Sequence, residues 1–507
     1  MPPTPPNPPI PPIPAGRTAR PLSRRGFLTA SAALGATALG GGLAACSSSS
    51  SKSTPAGTRT VTHWDWFVSQ EPWVKNEIAL FEKANPKIRI KRTVQVSDKY
   101  PDLINLAFRG GDAPDFFQIP STPAFPDQVA QGWLEPLDSR ATATWQGRFP
   151  EGSFFNGVDM IDNKVYSAPF GGAAPWLQLY LHNGLFKQAG ITNPDGSVKI
   201  PRTWDDVTLA AEAITKKSGG KAHGIGFGNA QNATLTWWIE LFVRGAGSPA
   251  GYGTDGPDYR TGKWTFGSDR NYADFLTLLL EWKKKGYIYP SAMSIGDEQA
   301  RAFFERGKFG ITVGGVWNQP TWAEHHFSDY SLTTLPSPTA TPKAYFYYPP
   351  GGRVFGVSKA DTLSDEAWAW FDHLHSVEAG RRWVESGQGL SVFPEANDQA
   401  KITSQQFQEY VDTRKYALPW PVPAIRNPEV SKVVMDAVKP DLPDVTAGLY
   451  TGQLKDMGSA LSALEDRRNK ALADGVKAAR AKGAKVGLED YVFSDWDPTK
   501  PYINKPA

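Results

Sequence analysis

Apolar residues fall into two alternating rhythms along the first third of the folded chain. Thr60-Val61-Thr62-His63-Trp64-Asp65-Trp66-Phe67 reads as a buried strand running into a loop, after which Val74, Ile78 and Phe81 recur at helical spacing. Asn85-Pro86 stops that helix before a second strand predicted over 88–96. Leu103, Leu106 and Ala107 mark the next helix, which Gly110-Gly111 ends, and Asp112-Ala113-Pro114-Asp115 leads into a strand over 116–119. Strand, helix and strand in this order predict an open, largely parallel α/β sheet, whose ligands sit beyond the carboxyl ends of the strands.

The same rhythm continues in the middle of the chain. Trp204-Asp205-Asp206 opens a helix through Ile214, with the two acids capping its start, and Ile225-Gly226-Phe227 begins another strand. Tyr272, Phe275, Leu276 and Leu279 form one apolar face of a helix that closes on Lys283, Lys284, Lys285 and Gly286. Basic side chains suit the carbonyl end of a helix dipole, and glycine suits its exit. Beyond Pro419, helices are expected around 430–438 and 454–479, and the ending Tyr491 to Pro498 is expected to pack against a lobe.

The amino-terminal 45 residues follow neither rhythm. Residues 1–16 are proline-rich, and Ser23-Arg24-Arg25-Gly26-Phe27-Leu28 then leads an Ala/Gly-rich apolar run ending at Leu43-Ala44-Ala45-Cys46. Paired arginines before a modestly apolar segment read as a twin-arginine export signal, with small residues marking a processing site. Gly35, Gly40, Gly41 and Gly42 argue against a membrane span, which needs roughly 20 strongly apolar residues. The pattern resembles a bacterial lipoprotein signal, and the resemblance implies that Cys46 becomes the lipidated first residue of a protein held outside the cytoplasmic membrane. Ser47 to Thr58 reads as a flexible tether.

Cys46 is the single cysteine of the 507 residues, which excludes an intramolecular disulfide and a cysteine-based metal site. Removing residues 1–45 leaves 50 basic against 51 acidic side chains, so the whole-chain excess of +3 belongs to the signal and nothing in the balance points to nucleic acid. Eighteen tryptophans are more than a core alone calls for, and a subset is expected to line a binding surface.

Several stretches, in order, carry a resemblance. Trp64-Asp65-Trp66, Phe81 to Pro86, Gly111 to Asp115, Gln131 to Asp138, Lys164 to Phe170 with Leu179 to Asn183, Phe303 to Trp317, Val357 to Lys359 and Ser376 to Gly380 are similar to extracellular solute-binding proteins of ATP-driven (ABC) importers. The likeness is to the sugar-binding group that includes the maltodextrin-binding protein, and it spans roughly residues 60–470. It implies an α/β, two-lobed periplasmic-binding-protein-like fold of type II, each lobe a mostly parallel sheet flanked by helices, with a hinge between them. The organisation expected is a signal over 1–45, a tether over 46–59, lobe 1 over 60–172, lobe 2 over 173–340, a return to lobe 1 over 341–388, and lobe 2 with a helical cap over 389–507. The implied partners are a carbohydrate, the permease subunits and the membrane through the Cys46 lipid, and the protein is expected to act as a monomer without cofactor or metal.

A sugar cleft needs flat aromatic faces for the C–H faces of pyranose rings and fixed polar groups for the hydroxyls that lose water. Loop positions after strands meet that need at Asp65 and Trp66, and at Ser121 and Thr122. Trp176 lies at the crossing into the second lobe, and Trp317, after Gly314-Gly315, matches the group's stacking tryptophan, the glycines being expected to let ligand approach the backbone. Asn229, Trp237, Arg353, Trp420 and Arg426 complete the candidate set, whereas Trp64, Trp133, Trp204, Trp282 and Trp368 read as core. Gly224, Gly226 and Gly228 read as a closely packed strand, and His325-His326 and His373 with His375 as surface or capping residues. Two other readings stay open. A secreted carbohydrate hydrolase would need two carboxylates about 5 to 10 Å apart, and a receptor for a glycerophosphodiester, a polyamine or a metal complex would need a matching charge.

Overall fold

The computed structural model describes residues 57–505 apart from 98, 250–255, 349–351 and 360–363. The export signal, Cys46 and most of the tether lie outside the described residues. Among the described residues there are twelve strands: β1 (Arg59–Asp65), β2 (Ile88–Val94), β3 (Phe116–Gln118), β4 (Met160–Ile161), β5 (Lys164–Val165), β6 (Gln178–His182), β7 (His223–Ile225), β8 (Phe309–Gly314), β9 (Tyr330–Thr333), β10 (Phe346–Tyr348), β11 (Phe355–Val357) and β12 (Ala417–Pro419).

Two four-stranded sheets organise the molecule. The first has the order β11-β3-β1-β2, with β1 parallel to β2 and to β3 and with β11 returning antiparallel beside β3. Period-two burial along β1 turns Val61, His63 and Asp65 inward. The second sheet has the order β7-β8-β6-β9, in which β6 runs antiparallel to both β8 and β9 while β7 is parallel to β8. Each sheet is flanked by helices, so the α/β two-lobed architecture holds, with the second sheet mixed instead of mostly parallel. β10 and β12 form a separate parallel pair.

Helix Glu71–Ala84 buries Trp73, Val74, Glu77 and Phe81. Its Glu77 is fully buried and accepts both Arg382 Nε and Nη2 at 2.7 Å. Helix Tyr100–Gly110 corrects the predicted face, because Tyr100, Ile104 and Ala107 point inward while Leu106 is 64 % exposed. Tyr100 decides this register: its hydroxyl donates to Gln118 O at 2.6 Å and lies 3.1 Å from Trp64 O, tying the helix to β3 and β1. Thr203 and Asp206 form a capping box at the start of Trp204–Lys217, as the acidic pair implied.

The second lobe's core stacks Trp238 on Phe242, which packs against Phe275 and Trp282. The expected helix over 430–438 is instead a 3-10 turn, Pro428–Lys432, followed by irregular chain, and the helices come later at Leu442–Thr451 and Met457–Ala481. Pro440 and Pro443 frame that delayed start, the latter in the first turn, where a missing N–H costs nothing. Phe493 and Trp496 close the core against Tyr259. Among the described residues no helix is long and apolar enough to cross a membrane.

Candidate functional site

Three of the predicted residues meet. Trp176 precedes β6, Trp237 stands in the first turn of helix Thr234–Ala246, and Trp317 caps the helix Asn318–Glu324 directly after β8. Their rings lie at centroid distances of 6.1 Å (Trp176 to Trp237), 5.8 Å (Trp237 to Trp317) and 6.3 Å (Trp176 to Trp317), the last pair inclined by only 25°. Trp176 is 39 % exposed and the other two are half-buried, so the cluster offers indole faces to solvent without being loose.

Local chemistry holds these plates. Trp176 Nε1 donates to Glu240 Oε1 at 3.1 Å, and the same oxygen receives Arg244 Nε at 3.0 Å. Glu240 was missed in the sequence, although a charged pair four residues apart inside the apolar run Trp237 to Val243 is a legible signal of a buried polar task. A Cβ on Gly315 would stand 1.9 Å from the Trp317 ring, so glycine makes room for the tryptophan itself. Tyr180, fully buried, donates to Gly315 O at 2.8 Å and fixes the turn from beneath.

A second group collects at the carboxyl edge of the first sheet. Trp66 packs on Tyr100 at 4.8 Å, with its backbone N–H donating to Gln118 Oε1. Ser121 and Thr122 are exposed on the loop after β3. Arg353 lies with its guanidinium 4.2 Å from the Phe125 ring, just beyond that loop, and donates to Val158 O at 2.7 Å. Asp159 beside it is fully buried, and burial raises its carboxyl to about 7 against the opposing pull of Arg353.

The remaining predicted residues are committed to structure. Asp65 is fully buried and takes Arg92 through both carboxylate oxygens at 2.7 Å, together with the Phe67 N–H and His63. It shapes the loop that presents Trp66. Asn229 is 3 % exposed, and its side-chain oxygen accepts Leu235 N and Thr234 Oγ1, which holds the start of the helix bearing Trp237. Trp420 lies in the core, parallel to Tyr347. Arg426 covers the Phe493 ring at 3.6 Å and donates to the carbonyls of Glu489, Asp490 and Val492, so it fastens the C-terminal extension.

The other sequence signals resolve simply. Cβ atoms at Gly224, Gly226 and Gly228 would strike Ala211, Phe309 and Gly296, so this glycine run serves close packing. His325 pairs with Glu305 and His373 with Glu77, but His375 corrects the surface reading: it is 1 % exposed and stacks on Phe371 at 4.0 Å. Among the described residues no group of three or more His, Cys, Asp or Glu is placed to hold a metal ion.

Two α/β halves, with aromatic plates and polar loops at sheet edges, are the architecture of two-domain solute-binding proteins. The model for bacterial extracellular solute-binding proteins matches residues 68–381, and the chain belongs to that family. The multiple sugar-binding protein of Streptococcus mutans is 25 % identical over 179 residues, which are 34 % of this chain; the chain spans 38 % of that relative's length. Among solved structures, the GacH receptor of Streptomyces glaucescens, studied unliganded and with acarbose, aligns at a TM-score of 0.62 and 17 % identity, covering 82 % of this chain and 99 % of that one. MalE of Bdellovibrio bacteriovorus, bound to maltotriose, aligns at 0.59 and 16 % identity over 81 % of this chain and all of the other. At these identities the structural likeness speaks for the fold.

Proposed function

We propose that this chain is an exported receptor, held on the outer face of the cytoplasmic membrane by lipid on Cys46, that captures a sugar or oligosaccharide between its lobes and hands it to an ABC permease. The observation that carries the reading is the cluster of Trp176, Trp237 and Trp317, half-open to solvent beside a buried carboxylate. Stacking faces with few charges suit a neutral polyhydroxylated ligand better than a phosphodiester or a polyamine. The names of the relatives, which bind acarbose, maltotriose or multiple sugars, support the same ligand class. Trp66, Ser121, Thr122 and Arg353 are the groups we assign to the facing lobe. The ligand then stabilises a closed state by touching both halves, with no covalent step and no second copy required.

We place the lobe boundaries later than the sequence pattern did. β10 pairs with β12, and Ser391 bridges Gly171, which favours a return to lobe 1 near 349 and a final crossing near 400–404. The test of the function is intrinsic tryptophan fluorescence titrated with mono-, di- and oligosaccharides, for the natural chain and for Trp317→Ala. The true ligand is expected to bind about 1 to 3 kcal/mol more weakly to the variant. Unchanged affinity removes Trp317 from the site, and the appearance of shortened sugars in the incubation mixture replaces the receptor with a hydrolase.

A further inference from the structure

We propose that Asp159 is a positioning residue for Arg353: with a proton on its carboxyl it leaves the guanidinium beside the Ser121–Thr122 loop, and on ionising it draws the guanidinium inward, away from that loop. Asp159 is fully buried, and neither of its carboxyl oxygens has a hydrogen-bond partner. Arg353 is the cation that faces it, yet Arg353 donates to Val158 O at 2.7 Å and lies 4.2 Å from the Phe125 ring instead. An ionised carboxylate shut off from water would take that guanidinium, because a charge-assisted pair is the strongest partner on offer and a bare buried charge is the costliest alternative. The arrangement is that of a neutral carboxyl. Burial agrees with the geometry, raising this group to about 7.

The surrounding charges are turned elsewhere. Asp162, on the same turn, is exposed and faces Lys432 of the second lobe, which Glu429 already pairs. Glu135, Asp138 and Asp162 face Tyr166, and Lys164 is exposed beyond the turn. Asp127, on the helix that carries Phe125, adds nothing at Asp159. Arg353 and the proton are therefore the two terms that set the state of this carboxyl.

The pair sits where a small movement matters. Pro169 bridges Arg353, and Phe170 N donates to Gly352 O at 3.2 Å, so the outgoing and returning chain run side by side there, at the crossing between lobes placed above. Gly157, two residues before Asp159, stands against the second lobe, where an added Cβ would meet Ala424 Cβ at 2.5 Å. Drawing Arg353 inward releases Val158 O between these points and removes a cation from the loop after β3. The effect on ligand rests on the assignment of Arg353 to the sugar cleft; the proton state of Asp159 does not.

Infrared difference spectra of the mature chain between pH 5.5 and 8.5, taken without ligand, read the proton directly. A carbonyl stretch of a buried protonated carboxyl is expected to vanish with a midpoint of about 7 and to be missing from Asp159→Asn, while Asp297, which burial holds at about 6, contributes equally to both and cancels. Arg353→Met keeps the carboxyl and removes the cation that opposes its protonation, so the midpoint must move up; this variant decides the matter even should Asp159→Asn melt early. With the sugar found by fluorescence titration, Kd is expected to rise about tenfold between pH 6 and 8.5 in the natural chain and to stay within twofold in Asp159→Asn. The proposal is overturned if no band depends on Asp159, if Arg353→Met leaves the midpoint in place or lowers it, or if Kd in the natural chain ignores pH. Should no sugar bind at any pH, the receptor reading falls, and the infrared spectra still decide the role of Asp159.

Discussion

Replacing Gly315 by Ala adds one methyl group at the most crowded point of the tryptophan cluster. The new Cβ would stand 1.9 Å from Trp317 Cζ3 and 2.3 Å from Cε3 and Cη2, whereas an ordinary contact begins near 3.4 Å. The turn cannot retreat easily, since the Tyr180 hydroxyl holds Gly315 O at 2.8 Å from a fully buried ring. The indole must therefore swing out by about 1.5 Å, a shift that spoils its 25° alignment with Trp176. Overpacking of this kind costs about 1 to 3 kcal/mol of stability. Displacing one stacking plate should cost ligand affinity a similar amount, roughly five- to 150-fold in Kd. Thermal melting measures the first effect and fluorescence titration with the bound sugar the second. A double-mutant cycle with Trp317→Ala separates them, because the affinity loss from Gly315→Ala should disappear once the indole is gone. Near-UV circular dichroism that reports a displaced indole, with affinity unchanged within twofold, would refute the assignment of Trp317 to the ligand.

Four further outcomes are expected. Glu240→Ala removes the carboxylate that Trp176 Nε1 and the buried Arg244 share, so unfolding midpoints should fall by the equivalent of about 3 to 5 kcal/mol, and Trp176 fluorescence should shift to the red. His63 and His375 are each 1 % exposed, and burial lowers both imidazoles from 6.5 to about 4. The unfolded chain takes up these protons near 6.5 and the folded chain resists until about 4, so stability is flat above that window and falls as pH drops through it. The loss is about 1.4 kcal/mol per pH unit for each histidine, and His375→Gln should roughly halve the slope of urea stability between pH 6 and 4.5 attributable to the pair. Arg426→Ala should expose residues 487–505 to limited proteolysis while leaving the tryptophan cluster's emission unchanged, since its guanidinium is what binds the Glu489, Asp490 and Val492 carbonyls. Cys46→Ala should leave a folded soluble body that no longer sediments with membranes; continued sedimentation would end the lipid-anchor proposal.

Element type was legible wherever one periodicity ran unbroken, as in Tyr272 to Leu279, whose predicted face is the buried one. It failed where a single polar handle outranked the apolar count. Tyr100 reaches two backbone carbonyls and so turns Leu106 outward, although leucine is the more apolar residue. The aromatic part of the candidate site was legible as positions near element edges, and the structure brings Trp176, Trp237 and Trp317 together there. It was not legible in its charges. Asp65 ends β1, beside the strand edge where ligand groups gather, but Arg92 on the neighbouring strand claims it, and the pairing of β1 with β2 that brings them together is a contact between segments 27 residues apart. Arg426 fails for the same reason at longer range, its partners lying more than 60 residues further on.

The late closure of the second lobe also sets an order of assembly. Tyr347 donates its hydroxyl to Pro498 O across 151 residues, and Asn504 bonds both Val422 N and Trp420 O. At about 5 to 20 residues per second, a ribosome needs roughly 8 to 30 s to make the stretch between Tyr347 and Pro498. Over that interval Tyr259 and Tyr347 wait with open faces on a nascent chain, joined by Trp420 once it is made. A truncated translation product therefore leaves the synthesis machinery with a sticky lobe, which marks it for chaperones or proteases.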